Sequence, residues 1–175
     1  MIGKQAPYFE ALACVDKRVE TVKQSSYKDK WIILFFYPED FSYICPTELM
    51  EFAEYYADFK KLGAEIVAVS TDSVYVHRAW LKTDPSLKDV RYPILSDRKG
   101  AIAASYGVLN EVTGNATRAL FIIDPTNTIR YMTITDDYVG RSTKETYRVL
   151  AALQTEKMCA ANWEPGDDTI KEVKK

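Results

Sequence analysis

Cys45 is the residue in this chain of 175 amino acids whose type and setting point most directly to chemistry. Before it runs Trp31-Ile-Ile-Leu-Phe-Phe36, a solid apolar stretch with the pattern of a buried strand. After it, Glu48 to Lys61 repeats apolar residues at helical spacing, with Leu49, Phe52, Ala53, Tyr56 and Phe59 on one face. The thiol therefore sits where a strand hands over to a helix, and Pro46 occupies the first helical position that proline favours. A sulfur placed there meets unsatisfied backbone N–H groups and the positive end of the helix dipole. Both favour the thiolate, which is the nucleophilic form. The competing reading is a small buried hydrophobe, as most free cysteines are; the strand–loop–helix setting argues against it.

The other chemistry-bearing residues are scattered. Cys14 lies in a strand-like stretch with no activating neighbour, so core packing is expected. Cys159 lies in a non-periodic segment near the end. Arg118 opens the apolar run Arg118-Ala-Leu-Phe-Ile-Ile-Asp124; from its spacing alone it could equally be a surface arginine. His77, the only histidine, has no second histidine or carboxylate cluster at ligand spacing. A structural or surface role is expected for it, on one face with Trp80.

The elements that must position these residues follow from period and punctuation. Tyr8 to Cys14 and Val19 to Val22 read as a hairpin turning at Asp16-Lys17-Arg18. The strand 31–36 is followed by the 48–61 helix, stopped by Gly63, and by a strand over Glu65–Ser70. That order implies a parallel pair with a right-handed crossover. Ser73 opens a helix over 74–82, Arg91–Ser96 forms a short strand, and Asp97 caps a helix over 99–106 ended by Gly107. Residues 108–117 are polar and turn-rich. A strand over 118–124 turns at Pro125–Thr128 into an antiparallel strand over 129–134. Thr143 to about Lys157 forms the last helix, with Tyr147, Leu150, Ala151 and Leu153 inward. Four or five strands with helices on both sides and an edge hairpin make an α/β sandwich.

With 47% hydrophobic and 27% charged residues, the composition is that of an ordinary globular protein, and 175 residues suffice for one domain with a real core. A net charge of −2 gives no basic excess for nucleic acid or an anionic membrane. No apolar run approaches the about 18 residues of a membrane span, and no secretory signal precedes the fold, so a cytoplasmic location is expected. Three cysteines with no Cys-x-x-Cys give no support to a thioredoxin-type dithiol or a zinc ribbon. No metal, flavin or nicotinamide site is expected, there being no glycine-rich phosphate loop after a strand.

Pro38, Ser42 and Cys45, continued by Pro46-Thr47-Glu48, form Pro-x-x-x-Ser-x-x-Cys-Pro-Thr-Glu. This resembles the active-site signature of the peroxiredoxins, with Ser42 where the family usually has threonine. The likeness extends from Gly3 to about Gly166 and is to the typical two-cysteine branch, the alkyl hydroperoxide reductase C type. It implies a thioredoxin-like fold with peroxiredoxin insertions, a central mixed sheet flanked by helices and an N-terminal hairpin. One domain is expected over 1–166, with a short, charged, mobile tail over 167–175.

The resemblance also implies a function and a set of roles. Cys45 attacks a peroxide and becomes a sulfenic acid. Arg118 points back at the sulfur; Ser42 offers a hydroxyl to thiolate and peroxide; Pro38 is a stiff wall; Glu48 orients a second arginine, Arg141. Cys159, in Met158-Cys-Ala-Ala-Asn-Trp163, matches the resolving-cysteine segment, although Ala160 replaces a proline and Met158 a valine. The implied assembly is a homodimer with intersubunit Cys45–Cys159 disulfides, possibly a decamer built of five dimers. Electrons would come from a thioredoxin or a flavoprotein disulfide reductase. The Gly-Gly-Leu-Gly insertion and Tyr-Phe tail of members sensitive to over-oxidation are missing, so resistance to excess peroxide is expected. A holdase chaperone or peroxide relay on the same scaffold is the alternative, told apart by whether turnover continues with a reductant.

Overall fold

A computed structural model describes residues 1–171, so four residues of the expected tail (172–175) lie outside the described residues. Backbone contacts divide the chain into two compact units, Met1–Arg141 and the segment from Ser142 onward.

The first unit is built on a seven-stranded mixed sheet. Its strands are β1 (Glu10–Val15), β2 (Arg18–Lys23), β3 (Trp31–Phe36), β4 (Ala64–Ser70), β5 (Ile94–Ser96), β6 (Arg118–Ile123) and β7 (Ile129–Thr135). Their order across the sheet is β2-β1-β5-β4-β3-β6-β7. The β3–β4 and β4–β5 pairs are parallel; the others are antiparallel. The expected hairpin sits at one edge. Its turn uses Asp16 and Lys17, both at positive φ, the backbone that matches strand twist in a two-residue hairpin.

The central strands are buried on both faces, which is why β3 reads as an unbroken apolar run and β4 and β6 carry polar residues only at or next to their ends. Alternation still sorts their side chains. Ile32, Leu34 and Phe36 join Val67, Val69, Ala119 and Phe121 in one core, against Tyr106. The opposite face carries Phe35, stacked on Phe52 with ring centroids 4.6 Å apart and edge-on to Tyr92.

The helices of this unit are α1 (Cys45–Glu54), α2 (Tyr56–Lys61), α3 (Val74–Thr83) and α4 (Ala101–Ser105). The single helix expected over 48–61 is thus two, starting three residues earlier and broken at Tyr55 (φ −83°, ψ −3°). Phe52 and Phe59 remain on the buried side across the break, so the interruption lets both rings reach the sheet. Pro46 is the second helical residue rather than the first. Ser73 caps α3 by accepting from the Val76 N–H, and Asp97 accepts from the Ala103 N–H of α4 at 2.8 Å. Asp124 holds the β6–β7 turn by accepting from the Thr126 and Thr128 N–H groups.

The second unit contains α5 (Thr143–Gln154), capped by Ser142 accepting from the Glu145 N–H. It is shorter than expected. Thr143, Thr146 and Leu150 are its buried residues, whereas Tyr147, Ala151 and Leu153 are only half-buried. Beyond it the chain stays hydrogen-bonded: Ile170 N donates to Met158 O, and Trp163 Nε1 to Asp167 O. Residues 167–170 are thus tied back to their own segment rather than free.

Candidate active site

Helix periodicity explains the first half of the site. Cys45, Glu48, Leu49 and Phe52 are the buried residues of α1, at positions i, i+3, i+4 and i+7. A carboxylate thus occupies a position in an apolar stripe, and it must find cationic partners there. Strand alternation supplies the other half. In β6, Ala119 and Phe121 face the main core, so Arg118 shares the opposite face with Leu120, which pairs with Phe35 and hence lies on the side where Phe52 packs.

The consequence is a closed charge cluster. Arg118 Nη1 donates to Glu48 Oε2 at 2.6 Å and reaches Cys45 Sγ at 3.6 Å. Arg118 Nη2 donates to the Asp137 carbonyl at 3.1 Å. Arg141 grips the same carboxylate from its backbone N (2.7 Å), Nε (2.8 Å) and Nη2 (2.8 Å). Its remaining nitrogen donates to the carbonyls of Phe36 and Ala119, pinning it to β3 and β6. Its guanidinium carbon lies 5.3 Å from the centre of the Phe35 ring. Glu48, Arg118 and Arg141 are all almost fully buried.

Burial pushes the Glu48 carboxyl up, but the hydrogen bonds and charge of Arg141, with the charge of Arg118, outweigh it and hold it below its ordinary value of 4.5. For Arg118, burial works against the charge, while Glu48 and the Cys45 sulfur raise its affinity for the proton above the usual. Glu48 is thus a fixed anion between two fixed cations, one of which touches the sulfur.

Cys45 is the first residue of α1, where the helix dipole is most positive. Its sulfur is buried, yet the residue lines a cleft of about 350 Å³. Pro38, Ser42 and Arg118 line the same cleft, so Cys45 and these three share one site. The Ser42 hydroxyl donates to the Glu39 carbonyl at 2.9 Å, leaving its oxygen as an acceptor. Arg118 Nε and Thr117 Oγ1 are buried polar atoms with no protein partner, and both residues are at the cleft. Cys159 belongs to the second unit. There it is half-buried, with its sulfur 3.5 Å from Thr155 Oγ1. All three cysteines are free thiols.

One feature of the site, and one contact beside it, had no signal in the local sequence. The loop 108–117 supplies a cleft wall through Asn110, Thr113, Asn115 and Thr117. The wall's position depends on the Leu109–Ala116 bridge, which a turn-rich composition does not specify. Outside the cleft lining, in the loop ahead of Cys45, Asp40 is also buried, and His77 binds it; of the structural and surface roles expected for His77, the structural one holds.

Comparison with known proteins places this geometry. The model of the AhpC/TSA family matches residues 2–132. Peroxiredoxin-2 of Mus musculus is 43% identical over 97% of this chain and 89% of its own length. The reduced 2-Cys peroxiredoxin of Plasmodium vivax superposes with a TM-score of 0.92 at 30% identity, covering 97% of this chain and 92% of that one. The AhpC of Enterococcus faecalis gives 0.87 at 38% identity, covering 97% and 98%.

Proposed function

Because the chain belongs to the AhpC/TSA family and is a thiol-specific peroxidase of the typical two-cysteine peroxiredoxin type, we propose that Cys45 is the sulfur that attacks the peroxide and Cys159 the one that resolves the product. In the first step the Cys45 thiolate attacks one peroxide oxygen. A sulfur–oxygen bond forms and the O–O bond breaks. The other oxygen leaves, with a proton, as water or an alcohol, and Cys45 is left as a sulfenic acid. In the second step the Cys159 thiol attacks the Cys45 sulfur, the disulfide forms and water departs. A two-electron dithiol donor, a thioredoxin or a flavoprotein disulfide reductase, then restores both thiols.

The observation that carries this reading is the 3.6 Å approach of Arg118 Nη1 to Cys45 Sγ. A guanidinium stays charged, so it stabilises a thiolate and offers further donors to an incoming oxygen. Arg118 Nε, buried and without a protein partner, is a donor of that kind. Glu48 fixes the direction of the guanidinium, so little reorganisation accompanies the charge shift in the transition state. Pro38 and Ser42 shape the cleft, whose volume suits organic hydroperoxides as well as hydrogen peroxide. Three free thiols suit a reducing cytoplasm, and among the described residues no helix is long and apolar enough to cross a membrane.

A homodimer, and a decamer built from it, complete the proposal. β7 is an edge of the sheet, and Ile134, Tyr138 and Val139 on and after it are exposed, which supports pairing with a second copy. The test is a non-reducing gel after one equivalent of peroxide. Wild type should give a covalent dimer, and Cys45→Ser and Cys159→Ser should not. A dimer band surviving in Cys159→Ser would remove Cys159 from the scheme.

A further inference from the structure

The segment from Tyr37 to Ile44 joins β3 to the sulfur-bearing end of α1, and it is held by an unusual set of buried polar contacts. Asp40 Oδ1 accepts from the Tyr37 hydroxyl at 2.7 Å, and Oδ2 lies 2.7 Å from His77 Nδ1 on α3. The other ring nitrogen, Nε2, faces the Leu95 carbonyl of β5 at 3.2 Å. A carbonyl only accepts, so Nε2 carries a hydrogen, and one proton is held between Nδ1 and the carboxylate. Both side chains are essentially inaccessible to water, at 0% and 1% exposure. The Asp40 backbone N–H donates to Asp72 Oδ2 at 2.9 Å.

The next residue, Phe41, is a non-glycine at φ +55°, with its ring 5.8 Å from that of Trp80 on the same helix as His77. Such a backbone conformation persists only where its surroundings enforce it. The cleft and the charge cluster at Cys45 do not involve His77, so the histidine is not there for the chemistry itself. An apolar residue would also fill the space without the cost of burying a charge-bearing pair.

We propose that His77 and Asp40 are positioning residues that latch the loop ahead of Cys45. The closed latch holds the loop in the shape that meets peroxide, and its release lets Cys45 leave the cleft for Cys159. This rests on the assignment of Cys45 and Cys159 made above. The latch ties the loop to α3 and, through Leu95, to β5, while strain stored at Phe41 favours opening once the tie is lost. Loosening it should therefore slow the first chemical step and speed the second, a split that general destabilisation does not produce.

The experiment compares wild type, His77→Gln, Asp40→Asn and the double variant by two readouts. Hydrogen exchange of residues 38–44 in the reduced protein reports the latch directly. Rapid-mixing kinetics then separate sulfenic acid formation from disulfide formation. Either single variant should raise exchange in 38–44 while β3 stays protected. Each should also slow the first step about tenfold, the scale of a modest misplacement, and accelerate the second severalfold. The double variant should be no worse than the single ones, because the pair acts as a unit. Unchanged loop exchange, a parallel fall in both rates, or additive effects would overturn the proposal. If wild type forms no disulfide, the assignment of Cys159 fails, while the exchange data still judge the latch. If β3 loses protection in the His77 and Asp40 variants, Asp72→Asn, at a half-buried position, weakens the tether on the Asp40 N–H, together with a Ser70 hydroxyl contact to the same oxygen, and leaves the buried His77–Asp40 pair in place. It should move exchange and both rates in the same directions, and no change there also overturns the latch.

Discussion

Cys14 and Cys45 lie in the same compact unit and are equally hidden from water, at 0% and 1% exposure. Cys14 sits within β1 near the hairpin turn, opposite Val19 on one side and Ile94 on the other. Burial pushes its thiol up, with the charge of Asp40 on the same side, against the Lys17 backbone N–H and the nearby cations Arg78 and Lys82. Cys45 sits at the start of a helix, beside a guanidinium and on a cleft. Burial is common to both, so burial does not decide reactivity. Under the proposed function, the nearby fixed charge and the open path do.

The sharpest way to break the contrast is to exchange the two thiols' fates. Cys45→Ser should abolish peroxide consumption, whereas Cys14→Ser should leave the steady-state rate with a reductant unchanged. Comparable losses in the two variants would mean that the charge cluster is not what distinguishes the sulfurs. Next in size is the cluster itself. Arg118→Leu should lower the second-order rate with peroxide by about 10²–10³-fold, the usual effect of losing one preorganised donor. Arg118→Lys should recover only part of this, since a point charge cannot bond Glu48 and Asp137 in fork geometry.

Glu48→Gln tests the support beneath that arginine. It leaves two buried guanidinium groups without their shared anion, and should cost about 3–5 kcal/mol in chemical denaturation. The same carboxylate gives a pH signature. Its folded value lies below the ordinary 4.5, so its contribution is complete above the unfolded value and disappears as pH falls through the folded one. Wild-type stability should fall on acidification below 4.5, and Glu48→Gln should lose that part of the slope. The smallest effect belongs to the sulfur away from the charge cluster: Cys14→Ala should cost about 1 kcal/mol, a typical core truncation, with peroxidase rates intact.

What could be read from the chain beforehand was whatever obeys a local rule. Trp31–Phe36 and 119–123 are marked by unbroken apolar runs, Cys45 by the switch from strand to helix period, and the cap at Ser73 by side-chain chemistry; Asp97 does bond the first turn of α4, but that helix starts at Ala101 with Gly100 in the cap position. All seven strands were marked in the chain, but β5 is only the three residues Ile94–Ser96 rather than the six expected, and its pairing with β1 spans distant parts of the chain that no local pattern specifies. The break at Tyr55 was invisible because no glycine or proline marks it. The Glu48–Arg141 contact joins positions 93 residues apart, and nothing but the family likeness pointed to it. Asp40 and His77 are 37 residues apart. The lone histidine drew attention, but its partner looked like any loop aspartate.

One measurement bears most directly on the difference between the two buried sulfurs. The Cys159→Ser variant, which keeps any sulfenic acid from being resolved at that position, is given one equivalent of peroxide in the presence of a sulfenic-acid trap and read by peptide mass spectrometry. The adduct should appear on the Cys45 peptide, with Cys14 unmodified. Adduct on Cys14 at comparable yield, or none on Cys45, would contradict the account.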